Sequence, residues 1–383
     1  MISDATSSSY ELLQVYADGV RLTDLLPEKD LRPVLMGLFG EVGSIMAPAK
    51  KLHREKGAYR GYRITVEEEF GDTLWYLAAL VRRLGQTLPD LLSRERAASL
   101  RSQPEQIGEP HPISNADPNS PPSIEQVDDI LLDLGCAASA LLSLKEDQRQ
   151  APTLLKAFAG LYVQALDIVN ISLEQVVQRN LSKVRGRFLD PVFTSLPDFD
   201  SSFHVDERLP DKFEIMIRQR SNGQSCMQMN GVFIGDPLSD NIRDPDGFRF
   251  HDVFHFAHAA ILHWSPTFRA LIKHKRKSDP AVDEAQDSGR AIVVEEGLTA
   301  WLFARAKDLN FFEGQTGVSF DLLKTIEHFV RGYEVEACPL KLWEMAILQG
   351  YSVFRQVRDH NGGIIKGDRG SRTLRFEPPL SQT

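Results

Sequence analysis

The stretch from Leu38 to Leu80 constrains the fold most, because it places acidic residues inside two otherwise apolar helical patterns. Glu41 lies in the first pattern, and Glu69 and Asp72 lie in the second. A spacing of three residues puts Glu69 and Asp72 on one face of a helix, close enough for both carboxylates to bind one cation. This face borders an apolar stripe, and carboxylates beside a core need a partner such as Mg²⁺. The pattern therefore predicts two helices whose acids hold a divalent cation.

The residues around these acids resemble a known family. Gly40–Ser44 reads GEVGS and Glu68–Ala78 reads EEFGDTLWYLA. Both are similar to segments of the MazG-like, all-α nucleoside triphosphate pyrophosphohydrolases, relatives of the dimeric dUTPases. The signature of that family is two acids three residues apart on one helix, followed by Glu-x-x-Asp on the next helix. The second pair is intact here as Glu69 and Asp72, but Ser44 stands at the second acidic position of the first pair.

The resemblance implies Mg²⁺-dependent hydrolysis of nucleoside or deoxynucleoside triphosphates to a monophosphate and pyrophosphate, with Mn²⁺ as a second possible cofactor. Glu41, Glu69 and Asp72 would then be the catalytic residues and the metal ligands. Ser44 removes one negative charge from the site, so a module that senses a nucleotide without cleaving it stays open as an alternative. A third interpretation is structural, because acids on a helix most often form a solvated face.

Further candidates for substrate binding follow the first acidic helix. Pro48 is expected to end or kink that helix, which would leave Lys50, Lys51 and Arg54 near the acids, where they could meet triphosphate oxygens. The alternative is an exposed basic turn. Trp75 could stack on a base, although aromatic residues at such positions more often belong to a core. Near the start of the second acidic helix, a capping box is expected at Thr65.

Composition along the chain predicts a division into four segments. Residues 1–100 are expected to form a helical unit that carries the acids, and residues 101–123, rich in Pro, Ser and Asn, are expected to be a flexible linker. Residues 124–195 are predicted to be a second, degenerate helical unit that completes the bundle. Residues 205–383 are expected to form a helix-rich domain.

A faint internal repeat links the two helical units. The second unit keeps the apolar pattern of the first but places Cys136 and Ala157 where Glu41 and Glu69 stand. Because MazG-like proteins bury their apolar faces by dimerising, the resemblance implies either a monomer with an internal pseudo-dimer or a homodimer. A divergent helical hairpin with no repeat ancestry is the alternative.

The end of the second unit completes the resemblance. Asn180 and Lys183 match the Asn-x-x-Lys tail that follows the last helix of the family. The resemblance implies a composite site, in which Lys183 meets phosphate and Asn180 meets a polar edge of the nucleotide. The alternative is a polar helix end with cations placed favourably for the helix dipole.

The C-terminal segment carries a second cluster of candidate ligands. His251, His255 and His258 recur at spacings that share one helical face, and Glu295 and Glu296 lie on a later apolar helix. Histidines four residues apart can bind one metal with a carboxylate from elsewhere, so His251, His255, Glu295 and Glu296 form a candidate site for a second divalent or transition metal. A metal-dependent hydrolase centred there is a further functional alternative, and a structural polar network is the other. No family resemblance is noted for this half.

Two hairpin strands, residues 213–220 and 225–235, are expected before the histidines. The predicted fold class is therefore mainly α, with an all-α N-terminal bundle and a helix-rich α+β domain that carries a small antiparallel sheet. The net charge of −9 argues against a general nucleic-acid binder, and three scattered cysteines suit a reducing cytoplasm. No apolar run approaches the ~20 residues of a membrane span. We expect a cytoplasmic protein whose partner is a nucleoside triphosphate, with no membrane association.

Overall fold

The computed structural model describes residues 2–55, 58–59, 61–93 and 124–379. It divides into two compact units, an N-terminal unit, Met1–Leu189, and a C-terminal unit, Asp190–Thr383. The expected mainly α architecture with a small antiparallel sheet in the C-terminal region is confirmed. The predicted linker, residues 101–123, lies outside the described residues.

The N-terminal unit is built from helices around one apolar core. Its helices are α1 (Ile2–Thr23), α2 (Leu31–Glu55), α3 (Tyr62–Arg83), α4 (Ile124–Leu141), α5 (Ala151–Ile168) and α6 (Leu173–Phe188), and residues 88–93 are also helical. A single cluster of buried side chains runs from Leu13 to Leu92 and continues from Val127 to Val184. The two predicted helical segments therefore share one core, and their origin as a repeat stays a prediction.

Two local expectations in this unit differ from the structure. Of the end or kink expected at Pro48, the end is wrong, because helix α2 continues to Glu55. Pro48 removes one backbone hydrogen bond, and burial of Ala49 and Leu52 on the core side of the same helix offsets that loss. Helix α3 begins after Gly61, so Thr65 is not its N-cap, and the Thr65 hydroxyl donates to the Gly61 carbonyl at 3.0 Å instead.

The sheet of the C-terminal unit has five antiparallel strands in the order β3-β2-β1-β4-β5. These are β1 (Lys212–Gln219), β2 (Ser225–Met229), β3 (Val232–Leu238), β4 (Gly362–Asp368) and β5 (Thr373–Glu377). The single strand predicted over residues 225–235 is wrong, because Asn230 and Gly231 adopt positive φ values of 50° and 78° and form a tight turn. Asn-Gly is a strong hairpin signal for this reason.

The C-terminal unit also contains helices, several of which pack against the sheet. They are α7 (Asp252–Ala257), continued by a π-helical turn over His258–Leu262, then α8 (Pro266–Ile272), α9 (Gly289–Asp308), α10 (Phe320–Phe329) and α11 (Leu340–His360). Helix α11 packs against α7 and against strands β4 and β5, while α9 packs against α8. This packing brings the histidines of α7 to the glutamates of α9.

A buried ion network supports α9 at its N-terminal end. Arg276 is 1% exposed and donates to Asp287 at 2.7 Å and to Glu334 at 2.6 Å. Its backbone amide also donates to Asp287, at 2.8 Å. Every charge in this group is paired and hydrogen-bonded, as burial in a protein interior requires.

Within the described part of the chain, no single helix has the length and apolar character needed to cross a membrane. The bent pair formed by α5 and α6, with an angle of 103° between them, meets the length and composition criterion only when the two are taken together.

Candidate functional site

Helices α2 and α3 pack side by side and bring three carboxylates together. Glu41 of α2 and Glu69 and Asp72 of α3 each offer an oxygen, and these oxygens all lie within 4.8 Å of one another. All three side chains are half-buried. We call these three residues the acid cluster. Carboxylate oxygens are the ligands that Mg²⁺ and Mn²⁺ prefer, so the donor set suits a hard divalent cation.

Helix α6 brings an amide and an ammonium group to the same place. Asn180 Nδ2 donates to Asp72 Oδ1 at 2.9 Å, and Lys183 Nζ donates to Asp72 Oδ2 at 2.6 Å. Lys183 also donates to Glu68 Oε1 at 2.9 Å. A carboxylate has about four lone-pair sites, so two hydrogen bonds leave Asp72 able to bind a cation as well. The residues predicted from the Asn-x-x-Lys tail therefore contact an acid that lies more than a hundred positions earlier.

Lys183 is positively charged in this environment. Its burial, the largest influence, acts to lower the pKa of the ammonium group, but the charges of Asp72 and Glu68 outweigh burial and raise the pKa above its usual value. The side chains of Lys183 and Asp72 are 19% and 21% exposed, so solvent still reaches the group. The site therefore combines a concentrated negative charge with one fixed cation at its edge.

Tyr16 of α1 fixes the orientation of Asn180. The buried Tyr16 hydroxyl donates to Asn180 Oδ1 at 2.8 Å, so the amide nitrogen of Asn180 must face Asp72. Burial raises the pKa of Tyr16 well above its usual value, and Tyr162 and Asp72 add to the effect, so this hydroxyl remains a neutral donor. Gly71 permits the close approach of α6, because a Cβ atom at Gly71 would lie 2.9 Å from Asn180 Cβ.

The other residues predicted to bind substrate lie elsewhere on these helices. Lys50, Lys51 and Arg54 are exposed on the last turns of α2. Lys51 lies over the ring of Tyr59, and Arg54 pairs with its neighbour Glu55. Their binding to phosphate stays a prediction.

Trp75 is only 8% exposed, and its indole nitrogen donates to Thr23 Oγ1 at 3.1 Å. Its ring also makes an edge contact with Tyr76, with centroids 4.9 Å apart. These contacts are typical of an aromatic residue in a protein core. Stacking of Trp75 on a base stays a prediction.

Two contacts at the site were not predicted from the sequence. Glu68 was expected to complete a capping box with Thr65, but its carboxylate accepts a hydrogen bond from Lys183. Tyr16 carries no local signal for its role, because 164 positions separate it from Asn180. Only the packing of α1 against α3 and α6 reveals that role.

The C-terminal unit holds the second group of candidate ligands, which we call the histidine cluster. Its members are His251, Asp252, His255, His258, Glu295 and Glu296. His251 immediately precedes α7, His255 lies within it, and His258 opens the π-helical turn. Ligand atoms of His251, Asp252 and His255 lie within 4.8 Å of one another, as do those of His255, His258 and Glu295.

Glu295 anchors the buried side of the histidine cluster. Its Oε2 accepts hydrogen bonds from Ser265 Oγ at 3.1 Å and from the Thr267 amide at 2.9 Å, at the start of α8. His258 Nδ1 donates to Oε1 at 2.9 Å. Glu295 is fully buried, and although burial alone would raise the pKa of its carboxyl, the neighbouring His255 and His258 lower it well below the usual range.

Glu296 lies at the outer side of the cluster. It is 3.3 Å from His255 Nε2 and 3.4 Å from His251 Nε2, and 38% of its side chain is exposed. Burial acts to raise the pKa of Glu296, but His251 and His255 lower it to about 2. Both glutamates are therefore ionised at neutral pH and face imidazole nitrogens.

Comparison with known proteins gives one informative result. Residues 194–380 match a family model described as the MazG C-terminal domain. The C-terminal half, for which no family was predicted, therefore does resemble a known one. At the level of the family, the match points to a function of the nucleotide pyrophosphohydrolase type. The matched residues lie outside the acid cluster, so the resemblance of the N-terminal half to MazG-like proteins stays a prediction.

Neither a search of curated proteins nor one of solved structures found a match.

Proposed function

We propose that the N-terminal unit hydrolyses nucleoside triphosphates to a nucleoside monophosphate and pyrophosphate. The observation that carries this proposal is the convergence of Glu41, Glu69 and Asp72, whose oxygens lie within 4.8 Å of one another between two packed helices. The match of the C-terminal half to a MazG domain supports the same class of reaction.

Each residue at the site has a distinct task in this proposal. Glu41, Glu69 and Asp72 would hold Mg²⁺, or Mn²⁺ in its place. When bound, the ion would neutralise phosphate charge and lower the pKa of water. Lys183 sits 2.6 Å from Asp72 and would pair with a phosphate oxygen at the edge of the cluster. Asn180, held by Tyr16, orients Asp72.

The reaction itself is an attack of water on the α-phosphorus. A bond forms between the water oxygen and that phosphorus, and the bond from the α-phosphorus to the bridging oxygen of pyrophosphate breaks. The proton of the water passes to a carboxylate, for which Glu68 is the candidate, because it borders the cluster through its contact with Lys183. Pyrophosphate leaves with the electron pair of the broken bond.

The decisive experiment measures pyrophosphate release from a panel of ribo- and deoxyribonucleoside triphosphates in the presence of Mg²⁺. We expect Glu69→Gln and Asp72→Asn to reduce turnover by more than the roughly 10–100-fold typical of changes around a metal ligand, because each removes a ligand itself. Glu67→Gln is the matched control, since Glu67 lies on the same helix and its carboxylate is 3.5 Å from Arg179. Activity that survives both ligand changes would exclude the acid cluster as the site.

A second candidate function is nucleotide sensing without cleavage. The observation that favours it is Ser44, which lies one turn after Glu41 on α2 where the resembling family has an acid. A sensor would bind a triphosphate in the presence of Mg²⁺ and release no pyrophosphate. Equilibrium binding and pyrophosphate release, measured on the same sample, separate the two functions.

A further inference from the structure

We propose that His251, His255 and Glu296 form a binding site for one transition-metal ion, such as Zn²⁺, with Asp252 beside them as a further ligand. The site lies entirely within the C-terminal unit. It is separate in composition and chemistry from the acid cluster, and it does not depend on the function proposed for that cluster.

The orientation of His251 is the first step of the argument. Its Nδ1 donates to the backbone carbonyl of Phe248 at 2.9 Å, so in the neutral ring the lone pair lies on Nε2. That Nε2 is 3.4 Å from a carboxylate oxygen of Glu296. Two lone pairs that face each other repel, unless a proton or a cation lies between them.

His255 repeats this arrangement on the next turn. Its Nδ1 lies 3.1 Å from Glu295 Oε1, and its Nε2 lies 3.3 Å from Glu296 Oε1. The ring is fully buried, yet neither nitrogen makes a hydrogen bond within the described part of the chain. The glutamate oxygens are close enough but lie off the N–H directions. An imidazolium held by two carboxylates would point its N–H groups at them, since buried polar groups are almost always hydrogen-bonded.

These separations are those of atoms that share a metal ion. Two ligand atoms at 2.0–2.2 Å from Zn²⁺ lie roughly 2.9–3.5 Å from each other, and each lies roughly 35–45° off the lone-pair axis of the other. The distances from Glu296 to His251 and His255, 3.4 Å and 3.3 Å, fall in this interval. Ligand atoms of Asp252 and both histidines are also within 4.8 Å of one another.

The ligand types select the metal. Two imidazole nitrogens with carboxylates favour Zn²⁺, Fe²⁺ or Mn²⁺ over Mg²⁺, which prefers oxygen ligands and water. Behind the two rings lie the Phe248 carbonyl, which accepts from His251 Nδ1, and the Glu295 carboxylate, which is 3.1 Å from His255 Nδ1. Such acceptors orient imidazole ligands and make them more basic. Glu295 is itself fixed by Ser265 and Thr267.

The site reaches solvent at Glu296. His255 is fully buried, whereas 38% of the Glu296 side chain is exposed. An ion bound between them would therefore be reachable by solvent and by a chelator along the Glu296 edge. This makes loading and removal of the metal measurable on the intact chain.

The experiment uses the full chain, stripped of metal with EDTA and then dialysed against Zn²⁺ in the presence of excess Mg²⁺. We expect one equivalent of Zn²⁺ to remain bound in the unmodified protein and in Asp72→Asn, which alters only the acid cluster. His251→Gln and Glu296→Gln should each weaken Zn²⁺ binding by at least about tenfold. His328→Gln is the matched control, because His328 is an exposed histidine on α10.

Two further measurements make the outcome unambiguous. Co²⁺ substituted for Zn²⁺ should give a visible absorption spectrum that reports nitrogen ligands, and Zn²⁺ should raise the unfolding temperature of the unmodified chain but not that of Glu296→Gln. Circular dichroism establishes whether each variant is folded. If His251→Gln does not fold, Glu296→Gln decides the outcome, because the Glu296 side chain is partly exposed. Substoichiometric Zn²⁺ in the unmodified protein, or equal binding in all variants, would overturn the proposal in favour of a protonated polar network.

Discussion

Lys183 Nζ lies 2.6 Å from Asp72 Oδ2, although 111 positions separate the two residues in the chain. The contact joins α6 to α3 and places a fixed positive charge beside the acid cluster. The contribution of this contact to stability can be measured as a pH dependence, because Asp72 and Glu68 raise the pKa of Lys183 despite its burial.

Lys183→Met tests how much the contact between Lys183 and Asp72 contributes to stability at different pH values. A group whose pKa is raised on folding contributes stability that is present below its unfolded value of 10.5 and is lost as the pH rises through the folded value. Between neutral pH and pH 9 we expect the free energy of unfolding of Lys183→Met to be about 1–3 kcal/mol lower than that of the unmodified protein, as for hydrogen bonds to charged groups. This difference in the free energy of unfolding should become smaller above about pH 10.5, where Lys183 begins to lose its proton. Urea unfolding at several pH values measures it, and a difference that is flat through the alkaline range would contradict the assignment.

Gly71→Ala tests whether Asn180 positions Asp72. The new Cβ would lie 2.9 Å from Asn180 Cβ, so α6 must shift and the hydrogen bond from Asn180 to Asp72 must lengthen. We expect a loss of pyrophosphate release of about tenfold or more with all acids still in place. Gly43→Ala is the control, because nothing lies within 4 Å of a Cβ atom at Gly43, which is on the exposed side of α2. Equal activity in both variants would show that Asn180 has no positioning role.

Ser44→Glu tests the missing fourth acid. Ser44 is half-buried on α2, one turn after Glu41. If Ser44 borders the proposed cation, a glutamate there adds a ligand and should lower the concentration of Mg²⁺ needed for half-maximal turnover. Titration of activity against Mg²⁺ measures the shift. An unchanged titration curve would mean that Ser44 lies outside the metal site.

Asp287→Ala tests the ion network of the C-terminal unit. Removing Asp287 leaves the buried guanidinium of Arg276 with Glu334 as its remaining carboxylate hydrogen-bond acceptor. Breaking a buried pair from one side costs about 3–5 kcal/mol. We expect a lower unfolding temperature for the C-terminal unit, recorded by calorimetry, with pyrophosphate release at low temperature retained. Asp279→Ala is the milder control, since Asp279 is exposed and caps a short helical turn.

Much of the architecture could be predicted because it depends on local pattern. The acidic segments form helices where the apolar period requires them, and the spacing of Glu69 and Asp72 puts both on one face of α3. The turn at Asn230–Gly231 could also have been predicted, because Asn-Gly favours positive φ. One continuous strand was predicted there instead, because apolar residues lie on both sides of the turn.

The remaining features depend on packing between distant residues. Helix α2 continues through Pro48 because the apolar contacts of its buried face outweigh one lost hydrogen bond. The residues next to Pro48 do not by themselves predict this outcome. Tyr16 reaches Asn180 only because α1 packs against α6. The histidines were expected on one helical face; the helix passes into a π-helical turn at His258, whose Nδ1 contacts Glu295, while His251 and His255 face Glu296.

The single apolar core of the N-terminal unit has a consequence for how the protein is made. A nascent chain that has left the ribosome as far as Arg83 already contains Glu41, Glu69 and Asp72, but α6 has not yet been synthesised. After Asp72, another 111 residues, up to and including Lys183, must be translated before the ammonium group can arrive. The proposed activity would therefore switch on late in translation, when α6 emerges and docks.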